Sequence, residues 1–306
     1  MKIIENHSVS LSDLEEYLEN KTDCFVDFFE GDIYKRNIRP SSLVKYRQTL
    51  SYLKRYKYPF LPAMITGDLP EDFGNFLRGC GLGDNSRRSH LKQTHTIMTR
   101  FIRMMNSKTE FKGRVMRDPF DGYSIGRIKG TRTSLSSAEI KSIETSTYPS
   151  DHLQKIADVF LLMVYTGMRI SDYRNYCSID HVSDGILRYS PFKTWGTSGV
   201  VVELPINHLF GGKPAALIAK YDGHPPVFAD PVVNRSLKIV QAIAGIKQLL
   251  TAHVARHTFL THIAMKTGNV FLTMQLGGLV KIETAQQYIH VAKGMRDVEG
   301  LGKVEW

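Results

Sequence analysis

The sequence predicts a mainly α-helical protein with one small β-sheet, organised as two domains. Three observations carry that expectation. Apolar residues recur three and four positions apart along the amino-terminal third, the spacing of helix faces. Strand-like alternation is confined to two short runs, Gly185–Tyr189 and Gly199–Pro205. Between the helical third and the rest lies a stretch of glycines, one proline and basic residues with little periodicity. The boundaries that follow are a helical domain over 1–115, a linker over 116–133, and a mixed domain with a carboxy-terminal tail over 134–306. At 306 residues the chain is long enough to bury two cores.

In the first domain, residues 9–20 place Leu and Tyr at helical spacing behind a Ser/Asp cap. The segment Cys24 to Tyr34 is aromatic on one side. Pro40 opens a helix whose apolar positions are Leu43, Tyr46, Leu50 and Leu53. The chain breaks around Pro62 and Asp68–Pro70; Phe73, Phe76 and Leu77 mark another helix, which Gly79–Gly83 ends. From Asn85 a long helix carries Leu91, Thr94, Ile97, Met98, Phe101 and Met104. Lys45 and Arg47 on the Pro40 helix, and Arg87, Arg88 and Lys92 on the long one, are candidates for contacting a DNA backbone. Lys129 and Arg132 in the linker join them. The same charges would equally solvate an ordinary surface.

The second domain opens on Ser136 and Glu139, a capping box. Leu153–Tyr165 reads as a buried helix that stops at Thr166–Gly167. Helix restarts over Met168–Asp172, with Thr166 or Ser171 as its cap. The two strand-like runs make a hairpin with Lys193 near its turn. Leu209–Phe228 reads as connection, and Val233–Ala244 as an amphipathic helix that Gly245 interrupts. Helical stretches then follow from Thr251, over Phe271–Gly278, and over Glu283–His290. The tail from Ala292 to Trp306 has few apolar residues to anchor it within one copy.

Composition narrows the partners. The net charge is +10 with 40 basic against 30 acidic residues, so the chain attracts polyanions, of which nucleic acid is the commonest. Cys24, Cys80 and Cys177 show no metal-ligand spacing and cannot all pair with one another, which fits a reducing cytoplasm. The amino terminus lacks a basic region followed by an apolar run, and Val159–Tyr165 is too short to span a bilayer. No P-loop, dinucleotide-binding glycine pattern or carboxylate metal cluster is present, so neither a cofactor nor a metal is expected.

Against that background the stretch Thr251–Thr258 stands out. If it is helical, His253 and Arg256 lie three apart on one face and can address one oxygen-rich group together. Arginine offers a planar fork for phosphate, and histidine exchanges protons near neutral pH. Elsewhere Arg169 follows a strongly apolar helix, where a merely solubilising arginine is out of place; a salt bridge to Asp172 is its structural alternative. Lys193 and Tyr288 complete a set that phosphodiester cleavage can use: a nucleophile, cations for the non-bridging oxygens, and a proton donor for the leaving oxygen.

Those residues carry a family resemblance. Tyr165–Asp172 resembles the first-arginine box of the tyrosine recombinases, also called phage-type integrases. Lys193–Thr194 resembles their hairpin lysine, His253–Phe259 their second motif, and Tyr288–Val291 their nucleophile box. The helical domain with its Asp118–Pro–Phe linker is similar to the core-binding domain of integrases from Bacteroidetes-type mobile elements. The resemblance implies a helical core-binding domain plus a mixed α/β catalytic domain. It also implies a site-specific recombinase that joins DNA to Tyr288 through a 3′-phosphotyrosyl bond, without cofactor or metal.

In that scheme Arg169 and Arg256 clamp the phosphate and Lys193 protonates the leaving 5′-oxygen. His253 binds the phosphate or handles the tyrosine proton. Asp172 orients an arginine or caps a turn, His257 supports the site helix while pointing elsewhere, and His290 is given packing at least as readily as chemistry. The implied partners are double-stranded DNA with paired core sites, a homo-tetramer on synapsis from free monomers, and an accessory DNA-bending or directionality protein. The implied location is the cytoplasm, on the nucleoid, with no membrane. The tail after His290 is the expected link between protomers.

One departure stands in the sequence. The family usually has Gly-His or Gly-Trp shortly before the nucleophile, where this chain has Gly278 and Leu279, and neither supplies a donor side chain. Lys281 is a nearby candidate to replace it. The departure keeps two further readings open: a non-cleaving DNA-binding member of the fold, and a relaxing topoisomerase of the type IB kind with the same bond chemistry.

Overall fold

A computed structural model of the chain describes residues 24–108, 116–124, 126, 133–193 and 199–290. The chain divides into two compact units, Met1–Gly130 and Thr131–Trp306. The helix expected over 9–20, the linker residues Lys129 and Arg132, the hairpin tip at 194–198 and the tail over 292–306 lie outside the described residues.

The secondary structure in the described part of the first unit is all helical. Its helices are α1 (Phe25–Lys35), α2 (Pro40–Tyr56), α3 (Leu69–Gly79) and α4 (Asp84–Ser107). Pro40 and Pro70 sit in the first turns of α2 and α3, where the missing N–H costs nothing. The core is aromatic. Phe25 makes edge contacts with Phe29, Phe60 and Phe101 at centroid distances of 6.1, 5.9 and 5.4 Å, the geometry that aromatic quadrupoles favour. Residues 116–123, within the stretch read as linker, pack onto this unit. Phe120 is buried and stacks on His95 at 4.6 Å, and Asn106 bonds both backbone groups of Met116 at 2.9 and 3.1 Å.

The second unit is organised around α6 (Asp151–Thr166), in which Ile156 to Thr166 is entirely buried. Preceding it is α5 (Ser137–Thr145), opened by the expected Ser136–Glu139 capping box. Following it come α7 (Ile170–Tyr176) and an antiparallel sheet of β1 (Val182–Ser183), β2 (Ile186–Tyr189) and β3 (Val202–Pro205). The remaining elements are α8 (Lys213–Ala219), α9 (Asp230–Ile243), α10 (Ala252–Thr267), α11 (Val270–Gly277) and α12 over 282–290. Helices α5, α8, α9 and α10 pack against α6, and α11 packs on α10 and β3. Among the described residues no helix is long and apolar enough to cross a membrane.

Three expectations need correction. Neither Thr166 nor Ser171 caps α7: Arg169 holds the cap position with no side-chain cap, and the Thr166 hydroxyl instead donates back to Leu162 O at 2.6 Å. The connection over 209–228 contains α8, whose short apolar run after Pro214 left too little periodicity to read. Helix α9 starts at Asp230, three residues before Val233, because Pro231 is accommodated in its first turn.

Candidate active site

The site is assembled on the C-terminal end of α6. The helix stops at Gly167, whose φ of 66° is left-handed, a conformation glycine adopts without steric penalty. A Cβ there would also overlap the Phe259 ring. The reversal leaves the Gly167 carbonyl facing α10, where it accepts a hydrogen bond from Arg256 Nη1 at 2.8 Å. Arg256 Nη2 donates to the Gly277 carbonyl at the end of α11. One guanidinium therefore ties the ends of two helices to the middle of a third.

Arg256 is 3 % exposed. Burial first, and then the like charge of Arg169, push its guanidinium down to about 10, while Tyr189, Tyr288 and Asp172 act in the opposite sense. It stays charged at neutral pH. That set of neighbours also defines the site: two arginines from α7's cap and α10, one carboxylate, and tyrosines from β2 and α12 converge on one buried region. Burial is the first cause raising the Tyr189 hydroxyl above its ordinary range.

Asp172 is fully buried and does two things. One carboxylate oxygen takes Arg169 Nη1 at 3.4 Å, and the other accepts the Phe192 backbone N–H at 2.8 Å. Orientation of an arginine was expected of it; the second contact was not. Asp172 couples the Arg169 side chain to the start of the β2–β3 turn, one residue before Lys193. Lys193 itself is exposed, at the edge of the described hairpin.

Tyr288 is 4 % exposed, and its hydroxyl lies 2.8 Å from His257 Nδ1. This overturns the reading of His257 as a residue that points elsewhere. His253 and His257 are four positions apart, so they share a face of α10, and their rings meet edge-to-face at 4.4 Å. Arg256, one position before His257, turns into the core instead. His253 is exposed. The signal was available in the sequence, since a histidine four positions after His253 is on its face of any helix. Tyr189 was missed for a different reason: nothing in a strand's alternation says what its buried face meets. His290 is exposed, so the described residues do not give it the packing role.

Gly278 ends α11 at φ 53°, and a Cβ there would stand 2.6 Å from Val202 Cγ2 and 3.0 Å from Pro191 Cγ. The hairpin base fills the space that a side chain at 278 would need. Leu279 is half-buried, and Lys281 lines a surface pocket with Phe271, Met274, Val280, Ile282 and Glu283.

Among the basic residues of the first unit, Lys45, Arg47 and Lys92 are exposed, and the Arg47 guanidinium lies over the Tyr34 ring at 5.4 Å. Arg88 is half-buried. Arg87 binds Asp84 and the Gly74 carbonyl, and only 16 % of its side chain is exposed.

No family model matches the chain. A tyrosine recombinase from Thermosipho africanus (strain TCF52B) is 25% identical over 268 residues, which cover 80% of this chain and 90% of that protein. A lambda integrase tetramer bound to a Holliday junction superposes with a TM-score of 0.69 at 15% identity, covering 93% of this chain and 81% of that one. The Tn1549 transposon integrase in complex with a circular intermediate DNA also gives 0.69, at 14% identity and with 87% and 95% of the two chains covered. The chain is thus similar in sequence to a tyrosine recombinase over most of both chains, and it has the fold of the solved integrases.

Proposed function

We propose that the protein is a site-specific DNA recombinase, cleaving and rejoining duplex DNA through a 3′-phosphotyrosyl bond to Tyr288. The observation that carries this reading is the convergence of Arg169, Arg256 and Asp172 with Tyr288 in one buried region of the second unit. Tyr288 attacks phosphorus through its phenolic oxygen. Arg169 and Arg256 neutralise the charge that develops on the non-bridging oxygens, by charge-assisted hydrogen bonds. Lys193, carried by the hairpin that Asp172 anchors, gives its proton to the leaving 5′-oxygen. His253, exposed on the outer face of α10, meets the phosphate from the solvent side. The covalent bond stores the energy of the broken one, so a 5′-hydroxyl from a second duplex reverses the step and exchanges strands.

In this reading the first unit binds the core sequence through backbone phosphates, with Lys45, Arg47, Arg88 and Lys92 as its contacts. The domain limits are 1–115, 116–133 and 134–306. Two paired core sites are held by four protomers that are monomers when free, linked by the tail after His290; an accessory DNA-bending or directionality protein selects the outcome. The protein works in the cytoplasm on nucleoid DNA. One observation favours a second reading, a DNA-binding member of the fold that does not cleave: Gly278 offers no donor, and the hairpin leaves it no room for one.

The deciding experiment incubates the protein with a pool of nicked duplexes tiled across the DNA flanking its coding sequence. A covalent adduct on a discrete duplex, absent with Tyr288→Phe, is the expected result. Binding without adduct on any duplex establishes the second reading, and relaxation of arbitrary supercoiled DNA without paired sites establishes a topoisomerase.

A further inference from the structure

The arginines are spoken for as cations, Lys193 as an acid and the exposed His253 as a phosphate contact, and Gly278 brings no side chain, so the proton of Tyr288 needs a destination. A phenol titrates near 10, about 3.5 units above an ordinary imidazole, so the proton leaves only as the oxygen attacks and needs an acceptor already in place. We infer that His257 is the general base for Tyr288, taking the hydroxyl proton on Nδ1 during attack and returning it during rejoining. This rests on the recombinase reading above.

The geometry supports it on three counts. The separation of 2.8 Å is a direct hydrogen bond within the range for proton transfer. The acceptor stands on a rigid support: Val254, Ala255, Thr258 and Phe259 around it on α10 are all buried, and the Thr258 hydroxyl accepts the Leu135 backbone N–H at 3.0 Å. Arg256, on the same helix, attracts the developing phenolate while donating its own N–H groups to Gly167 and Gly277. Arginine and lysine carry no lone pair for a proton while charged. His253 lies one turn earlier, in edge contact with the His257 ring at 4.4 Å, which holds that ring in place.

The step balances. Neutral His257, protonated on Nε2, accepts the phenolic proton on Nδ1; the phenolic oxygen's lone pair forms the O–P bond. The bond from phosphorus to the 5′-oxygen breaks, and that oxygen takes a proton from the Lys193 ammonium. The products are a phosphotyrosyl diester, an imidazolium, a neutral lysine and a 5′-hydroxyl. Rejoining runs every transfer backwards, so one proton circulates between Tyr288 and His257 and none is consumed.

The test uses the full chain and the nicked duplex selected from the tiled pool, with melting temperature and DNA affinity measured for every variant. His257→Gln keeps a hydrogen-bonding group beside the hydroxyl but cannot accept its proton. It is expected to melt and bind DNA as the parent does, and to form adduct about 100-fold more slowly or worse. A duplex whose leaving 5′-oxygen is replaced by sulfur needs no leaving-group proton; it is expected to restore Lys193→Ala and leave His257→Gln slow. Adduct formation at the parent rate by both His257→Gln and His257→Ala overturns the inference. Restoration of His257→Gln by the sulfur duplex also overturns it, since the histidine then serves the leaving group. No adduct from the parent chain, or full adduct from Tyr288→Phe, removes the recombinase reading itself and this inference with it.

Discussion

Both units bury aromatic rings, and the first also buries Asp32, but it keeps its candidate DNA-binding cations, Lys45, Arg47 and Lys92, at the surface, whereas the second buries a guanidinium, Arg256, within its site. Asp158, Asp172 and Arg256 are 3 %, 0 % and 3 % exposed, and each is bonded to at least one group distant in sequence. A cation at the surface feels a dielectric near that of water and is screened within about 10 Å at ordinary ionic strength. It can attract a polyanion without fixing any atom of it. A buried guanidinium, already desolvated and bonded to two carbonyls, cannot move and interacts strongly with whatever charge forms beside it. The division of labour between units, attraction in one and positioned chemistry in the other, follows from where the charges sit.

That contrast can be broken or sharpened by substitution, from the largest effect to the smallest. Removing one oxygen, in Tyr288→Phe, is expected to abolish the covalent adduct while leaving DNA affinity in a gel-shift assay unchanged. Arg256→Ala is expected to cut cleavage about 100- to 1,000-fold, the size of one lost oxyanion donor. It also strands the Gly167 and Gly277 carbonyls, so a calorimetric melt drops; an unaltered single-turnover rate would show that Arg256 is a structural tie alone. Gly167→Ala asks whether the backbone reversal matters to the chemistry. The strained φ costs about 1–3 kcal/mol before the Phe259 overlap is added, so both melting temperature and cleavage fall.

The smallest effect belongs to the first unit. Lys92→Ala is expected to weaken binding equally on all sequences and to lower the slope of log affinity against log salt by about 0.9, with cleavage at saturating DNA unchanged. Arg87→Ala is its foil. Because Arg87 is occupied with Asp84 and Gly74, it should lower the melting temperature and leave the salt slope alone.

Much of the fold was legible from spacing. Helices with a capping signal or a strong apolar stripe, such as α5 behind Ser136 and α6 before Gly167, lie where periodicity put them. Helix α8 escaped because Lys213–Ala219 is too short to complete two turns of pattern. At the site, Arg169 declared itself as a cation in apolar surroundings, and Arg256 by its spacing from His253 on one helix face. What spacing could not give was the partner of each side chain: Asp172 reaching Phe192 across 20 positions, or His257 reaching Tyr288 across 31.

By itself the sequence determined most of the helices, the two-unit organisation to be expected and the inventory of chemical groups, because these depend on local periodicity and residue type. Only the tertiary structure decided which histidine of α10 meets the nucleophile, and that Gly278 has no room for a side chain. Both depend on how α10, α11, α12 and the hairpin pack together. A rotation of α10 by one residue, about 100°, would exchange the surroundings of Arg256 and His257. Local sequence does not encode that angle; the packing of Val254, Ala255, Thr258 and Phe259 into the core does.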